Sequence, residues 1–253
     1  MDQHGFEVIE VKKVLTAFRS GFQEMKRTPL LIALLFVGPA YVIYFLTLFA
    51  PDGQAIVHLG EEAFRTTLPK AIPAFTTPMT SALLAGIAGM FLMETEATAD
   101  SRLVVAGYRA YQVILARLGL VIGIAVIASG VSIGVLLTAF QPTLLLWFTV
   151  GTVVAALIYG MIGILVGIIL DRLLGVYLIL FGSMIDLFVF QNPLADETPM
   201  LARVLPGYYP LRLVMEAGFG ETISLNDLGF GLGYLAALTL LGVFGFYRVA
   251  RVP

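Results

Sequence analysis

The chain has 253 residues, 59% of them hydrophobic and 13% charged, with a net charge of -2. An ordinary soluble domain carries about 25% charged residues, so this composition excludes that class. The absence of cysteine excludes disulfides and thiol chemistry, and the slight acidic balance leaves no footprint for nucleic acid.

Apolar runs near the length needed to cross about 30 Å of hydrocarbon recur along the chain. In lipid such runs must pair their own backbone groups, and a single run does so only as a helix. The expected fold is therefore an all-α integral membrane protein of one domain with six transmembrane helices. No cleavable signal peptide is expected, because the first apolar run lies behind a charged segment and is too long for one.

Residues 1–29 come first. Val8, Val11, Leu15, Phe18, Phe22 and Met25 recur at helical spacing, among Lys12, Lys13, Arg19, Lys26 and Arg27. This pattern predicts an amphipathic helix in the membrane interface, the alternative being a soluble helix packed on a partner. Span one covers 30–49 with Pro39 expected to kink it. A polar loop, 50–72, leads to span two at 73–93.

A polar interval follows at 94–117, then span three at 118–139 and a turn at Gln141-Pro142. Span four covers 144–170, long enough to tilt or protrude. Asp171-Arg172 separates it from span five at 173–190. An outer loop, 191–227, precedes span six at 228–247.

Eleven of the fifteen Lys and Arg residues fall on one side of this arrangement and four on the other, none of them mid-span. The positive-inside rule puts the eleven in the cytosol. Both termini are then cytosolic and the chain is a multi-pass protein of the plasma membrane.

Motifs exclude several activities. None of the four lysines, Lys12, Lys13, Lys26 and Lys70, follows a glycine, so there is no phosphate-binding loop and no ATPase site of that type. No HExxH motif exists, no metal site is expected, and His4 and His58 lie outside the spans. The cluster Glu61-Glu62-Ala63-Phe64-Arg65 reads as solvated charge rather than as a protease motif. The chain is not expected to be an enzyme.

The 94–117 interval is the strongest candidate for contact with a cytosolic partner. Asp100 or Ser101 can cap a helix start. From there Leu103, Gly107, Tyr111 and Ile114 share one face, while Arg102 and Arg109 share another. Such a helix suits a groove with acidic rims; the alternative is a loop helix on lipid headgroups.

Asp186 is the one clear acidic residue inside a span. An intramembrane carboxylate faces protein or water and marks a candidate substrate path, unless it lies at the outer interface and is simply hydrated. Gly119/Gly123, Gly130/Gly134 and Gly163/Gly167 have the spacing that lets helices approach closely.

Six spans, an amphipathic N-terminal helix and a charged segment between spans two and three resemble the ABC-2 type permeases, membrane subunits of one class of ATP-binding-cassette exporters. The chain has Glu96, Arg102-Leu103, Gly107-Tyr108-Arg109 and the run Val113 to Arg117 in the order of the family's coupling segment, with Gly107 near the place of a common proline. Leu205-Pro206 and Pro210-Leu211 are similar to the family's outer segment, which dips into the outer leaflet as two short re-entrant helices.

The resemblance implies a permease subunit powered by a separate ABC ATPase. Two permease chains, identical or related, would assemble with two ATPase copies. ATP and Mg would sit on the ATPase, and this chain would bind no cofactor itself. Glu96, Arg102, Leu103 and Arg109 would dock the ATPase. The short outer loop favours export of a small hydrophobic or amphipathic compound, as in multidrug efflux. The alternatives are a stand-alone secondary transporter or channel-like protein, and a non-transporting membrane scaffold.

Overall fold

A computed structural model describes Thr16, Phe18, Arg19, Phe22, Gln23 and residues 29–59, 62–105, 110–195 and 199–250. Seven α-helices and one β-hairpin make up the described chain. They are α1 (Pro29–Leu48), the hairpin strands β1 (Gln54–Leu59) and β2 (Glu62–Thr67), α2 (Leu68–Val105), α3 (Ala110–Leu136), α4 (Leu145–Ile169), α5 (Arg172–Met184), α6 (Tyr208–Phe219) and α7 (Leu225–Ala250). A π-helical turn, Ile185–Phe190, prolongs α5, and a 3-10 helix, Met200–Val204, precedes α6.

Among the described residues five helices are long and apolar enough to cross a membrane: Leu68–Met93, Ile114–Leu136, Leu145–Ile169, Arg172–Phe190 and Leu225–Gly245. This is consistent with an all-α membrane protein. The apolar part of α1, Ile32–Leu48, is shorter than these, and the helix continues through Pro39.

The helix α2 is the axis of the bundle, with 89% of its apolar window buried, against 11% for α7 at the periphery. Its main partner is α4, and the reason is glycine. Gly86 and Gly89 on α2 face Gly160 and Gly163 on α4. A Cβ on Gly163 would run into the carbonyl oxygen of Gly86, and one on Gly89 into that of Gly160. Gly167 meets the Met90 carbonyl in the same way, at 2.9 Å. Small residues permit such backbone contact where the hydrophobic effect gives helices no reason to associate. Of the three expected glycine pairs, only Gly163/Gly167 packs like this. Gly119 meets the Phe18 ring, and Gly123, Gly130 and Gly134 have open space beside them.

Four expectations need correction. The 50–72 stretch is a hairpin as well as a loop. In β1 the sequence QAIVHL alternates, and Ala55, Val57 and Leu59 turn inward onto a core with Phe140, Phe148, Leu211 and Val214. The antiparallel register pairs Gln54 with Thr67 and Leu59 with Glu62. Glu62 to Arg65 of the charge cluster thus belong to β2, with Phe64 packed on the same core.

Second, no helix starts at Asp100 or Ser101. The segment 94–105 prolongs α2 without interruption, because it has no proline or glycine and an existing helix propagates without a new nucleus. Third, Arg117 lies inside a candidate span. It is 4% exposed, and its Nη1 donates to the Leu92 carbonyl at 3.4 Å, so the basic charge enters the bundle with a backbone partner.

Fourth, the two short helices of the outer segment are the 3-10 helix and α6, with Pro210 inside the second of them. Pro206 follows the 3-10 helix, but Pro210 sits in the first turn of α6, where a missing N–H has no helical partner to lose.

Of the N-terminal helix, Phe18 and Phe22 are helical and pack against Leu92, Leu120 and Met161, while Arg19 and Gln23 are exposed. Lys12, Lys13, Lys26 and Arg27 lie outside the described residues.

The glycine contact has a measurable consequence. Gly163→Val places two methyl groups and a Cβ against a backbone carbonyl, an overpacking that costs about 1–3 kcal/mol. The unfolding midpoint in detergent is expected to fall, whereas Gly130→Ala, with open space, leaves it unchanged.

Candidate functional site at the hairpin end

The hairpin, the α3–α4 turn and α6 gather at one end of the bundle. The Thr143 and Leu144 N–H groups donate to the Gly218 and Ala217 carbonyls at 3.1 and 2.8 Å, tying that turn to the end of α6. The His58 N–H donates to the Pro193 carbonyl at 2.8 Å, tying the hairpin to the chain beyond α5. Two polar networks occupy this end.

The first is centred on Asp186, which is 5% exposed. The π-helical turn places it: the Gln191 N–H bonds the Asp186 carbonyl at 3.0 Å, five residues back. That wider turn interrupts the regular helical side-chain spacing and marks many functional positions. The carboxylate accepts from the Tyr159 hydroxyl of α4, from Gln191 Nε2 at 3.0 Å and from the Gly207 N–H at 3.0 Å.

Gly207 is required for this last contact, because a Cβ there would meet Leu187 at 2.5 Å and the carboxylate at 3.0 Å. Gln191 Nε2 also donates to the Ala202 carbonyl at 2.9 Å, and the Tyr234 hydroxyl donates to the Val204 carbonyl. The segment 200–207 is thereby fastened to α4, α5 and α7.

The second network is centred on Arg212 of α6. Its Nη1 donates to the Tyr208 hydroxyl at 3.0 Å. Its Nη2 lies 3.4 Å from Glu216 Oε1, one turn on, and its Nε lies 3.4 Å from Asp227 Oδ2 of α7. Glu216 Oε2 accepts from the Ser224 N–H at 2.8 Å.

Ser224 is the N-cap of α7: its Oγ accepts from the Asp227 N–H at 3.3 Å, the first half of a capping box. Asp227 thus stands in a first helical turn, where the dipole favours a negative charge. Burial alone lowers the affinity of Arg212 for its proton, but the Tyr208 hydroxyl and the charges of Asp227 and Glu216 outweigh it and hold the pKa above the usual value. Burial raises Glu216, and the charge of Asp227 adds to this against the opposing Ser224 N–H and Arg212.

Two cavities adjoin these groups. A cavity of about 680 Å³ is bounded by Arg203, Tyr209, Arg212, Glu216, Ser224 and Asp227, among others. A space of about 30 Å³, room enough for a water, lies between His58, Gln191, Tyr208 and Arg212. It touches a member of each network.

The residues singled out in the sequence distribute unequally. Asp186 and Pro210 are buried at this end, with Leu205 and Pro206 half-buried beside them. Glu96, Arg102 and Leu103 belong to the prolonged part of α2 at the opposite end, and Arg109 lies outside the described residues. Arg212, Glu216 and Asp227 escaped the sequence reading as a site. The Arg212/Glu216 spacing of four and the Ser224-x-x-Asp227 cap were the available signals. No protein-family model matches the chain, and no curated protein matches its sequence.

Both networks have testable weight. Asp186→Leu strands the Tyr159 hydroxyl and the Gly207 N–H in the interior, at about 1–3 kcal/mol for each unsatisfied group. The unfolding midpoint is expected to fall well below that of Asp186→Asn, whose amide oxygen still accepts.

Arg212→Met leaves Glu216 and Asp227 facing one another without a cation. The raised Glu216 pKa supplies the sign. Its stabilising contribution is complete below its unfolded pKa and is lost as pH rises through the higher folded one. The deficit of Arg212→Met against the unaltered protein is therefore expected to shrink in unfolding curves taken at progressively lower pH.

Proposed function

We propose that this chain is the membrane subunit of an ATP-binding-cassette exporter, moved by a separate ATPase. The observation that carries the reading is the prolongation of α2. Its apolar window ends at Met93, yet the helix runs on to Val105, about 18 Å further. That polar extension holds Glu94, Glu96, Asp100 and Arg102, and it lies at the end opposite the hairpin. The link 106–109 joins it to α3, which prolongs its own apolar window in the same direction.

A continuous helix from handle to bundle suits mechanical coupling. Force applied at 94–109 is transmitted along α2 to its glycine contact with α4. The unequal distribution of Lys and Arg puts the handle in the cytosol. The hairpin, α6 and both polar networks then face outward, and both termini lie inside. Glu96, Arg102, Leu103 and Arg109 dock the ATPase. Two permease chains and two ATPase copies form the working unit, with ATP and Mg on the ATPase. The cargo is a small hydrophobic or amphipathic compound.

The test is co-purification and transport together. Arg102→Glu with Arg109→Glu is expected to abolish recovery of a P-loop ATPase with the permease, and with it ATP-dependent export from reconstituted vesicles. Undiminished recovery of the complex refutes the docking contact. Solute accumulation against a gradient by the permease alone, without hydrolysis, favours a stand-alone transporter.

A further inference from the structure

The large cavity at the hairpin end has an arrangement of charge that the export reading does not use. Arg212 is bound between Glu216 and Asp227, so the inner wall holds one cation against two carboxylates. Asp227 Oδ2 is buried and has only the 3.4 Å ion pair, with no hydrogen bond of its own. Tyr208 and Tyr209 also line the cavity, with the Tyr208 ring against the Arg212 guanidinium and the Tyr209 ring stacked on Phe230, which leaves the net negative charge of the wall to the carboxylates. The inner part of the cavity therefore suits a positive group.

The rim has the opposite character. Arg203 lines the same cavity, is exposed, and has no ion-pair partner among the described residues. A planar guanidinium in that position suits a phosphate.

Two further observations select the source of such a ligand. Asp227 and Ser224 stand at the first turn of α7, where an apolar span begins at Leu225, which is the depth of headgroups. The 3-10 helix that bears Arg203 exposes Met200, Leu201 and Val204, at 87%, 59% and 67%. A polar cavity with an apolar flank fits a headgroup and its acyl chains together.

We infer that this cavity binds the headgroup of a zwitterionic phospholipid, with the ammonium against Asp227 and the phosphate against Arg203. The site concerns a ligand of the outer end, and its test contains no ATPase, so it is decided separately from the coupling reading.

The purified full-length chain in detergent is titrated with dihexanoylphosphatidylethanolamine, with dihexanoylphosphatidylglycerol, which lacks the ammonium, and with glycerophosphoethanolamine, which lacks the chains. Affinities are read from the shift of the unfolding midpoint. The ethanolamine lipid is expected to bind about tenfold more tightly than the glycerol lipid. Asp227→Asn is expected to erase that preference, and Arg203→Gln to weaken both lipids alike.

Because Asp227 also contacts Arg212 and the α7 cap, Thr222→Lys provides a second readout. Thr222 is exposed on the cavity wall, and an added cation there is expected to weaken the ethanolamine lipid more than the glycerol lipid. Equal binding of the two lipids by the unaltered protein overturns the inference, as does a preference unmoved by both Asp227→Asn and Thr222→Lys. Glycerophosphoethanolamine binding as tightly as its lipid overturns the assignment to phospholipid in favour of a soluble headgroup compound.

Discussion

The contact between α2 and α4 is the constraint on which the rest of the bundle depends. Inside a membrane, lipid tails are as apolar as leucine, so burying apolar side chains does not by itself bring helices together. Close packing does, and it is strongest where backbones touch. Gly86 and Gly89 against Gly160 and Gly163 let the two backbones touch at the crossing. With those two helices in contact, α3, α5 and α1 pack around α2, and α7 packs on α4 at the margin. The wide difference in burial between α2 and α7 follows from that order.

A second consequence is the division of labour between the two ends. At the hairpin end, four connections converge and bring their polar groups with them. Asp186 is satisfied by three donors, while Arg212 hydrogen-bonds Tyr208 and Glu216 and meets Asp227 only as a 3.4 Å ion pair. Buried polar groups demand such partners. A half-satisfied network is costly, which is why the 200–207 segment and the start of α7 are so specifically placed. At the opposite end α2 continues as helix past its apolar window.

The layout was largely legible in the sequence. Apolar runs near 20 residues dictate helices in lipid, and the limits of α4 and α5 fall within a few residues of the expected spans. Asp171, read as a turn between spans, is the N-cap of α5, its carboxylate accepting from the Leu174 N–H at 3.0 Å. The hairpin was hidden because its six-residue strands alternate between inside and outside, and only the core of Phe140, Phe148 and Leu211 gives Ala55, Val57 and Leu59 a place to face. The extension of α2 was misread for the reverse reason. Asp100 and Ser101 are good caps in isolation, but a helix already formed in the membrane runs through them.

Residue order alone therefore determined the class of the molecule, the position of most helices and the polar interval that projects from them, because these depend on local composition and on the hydrogen-bonding demands of lipid. Which glycines touch and which carboxylates meet the same arginine depend on residues far apart in the chain. Gly86 finds Gly163 and Arg212 finds Asp227 only after the helices pack. Periodicity along a single segment has no record of its neighbour, so tertiary structure alone decided the axis of the bundle and the charged cavity at its end.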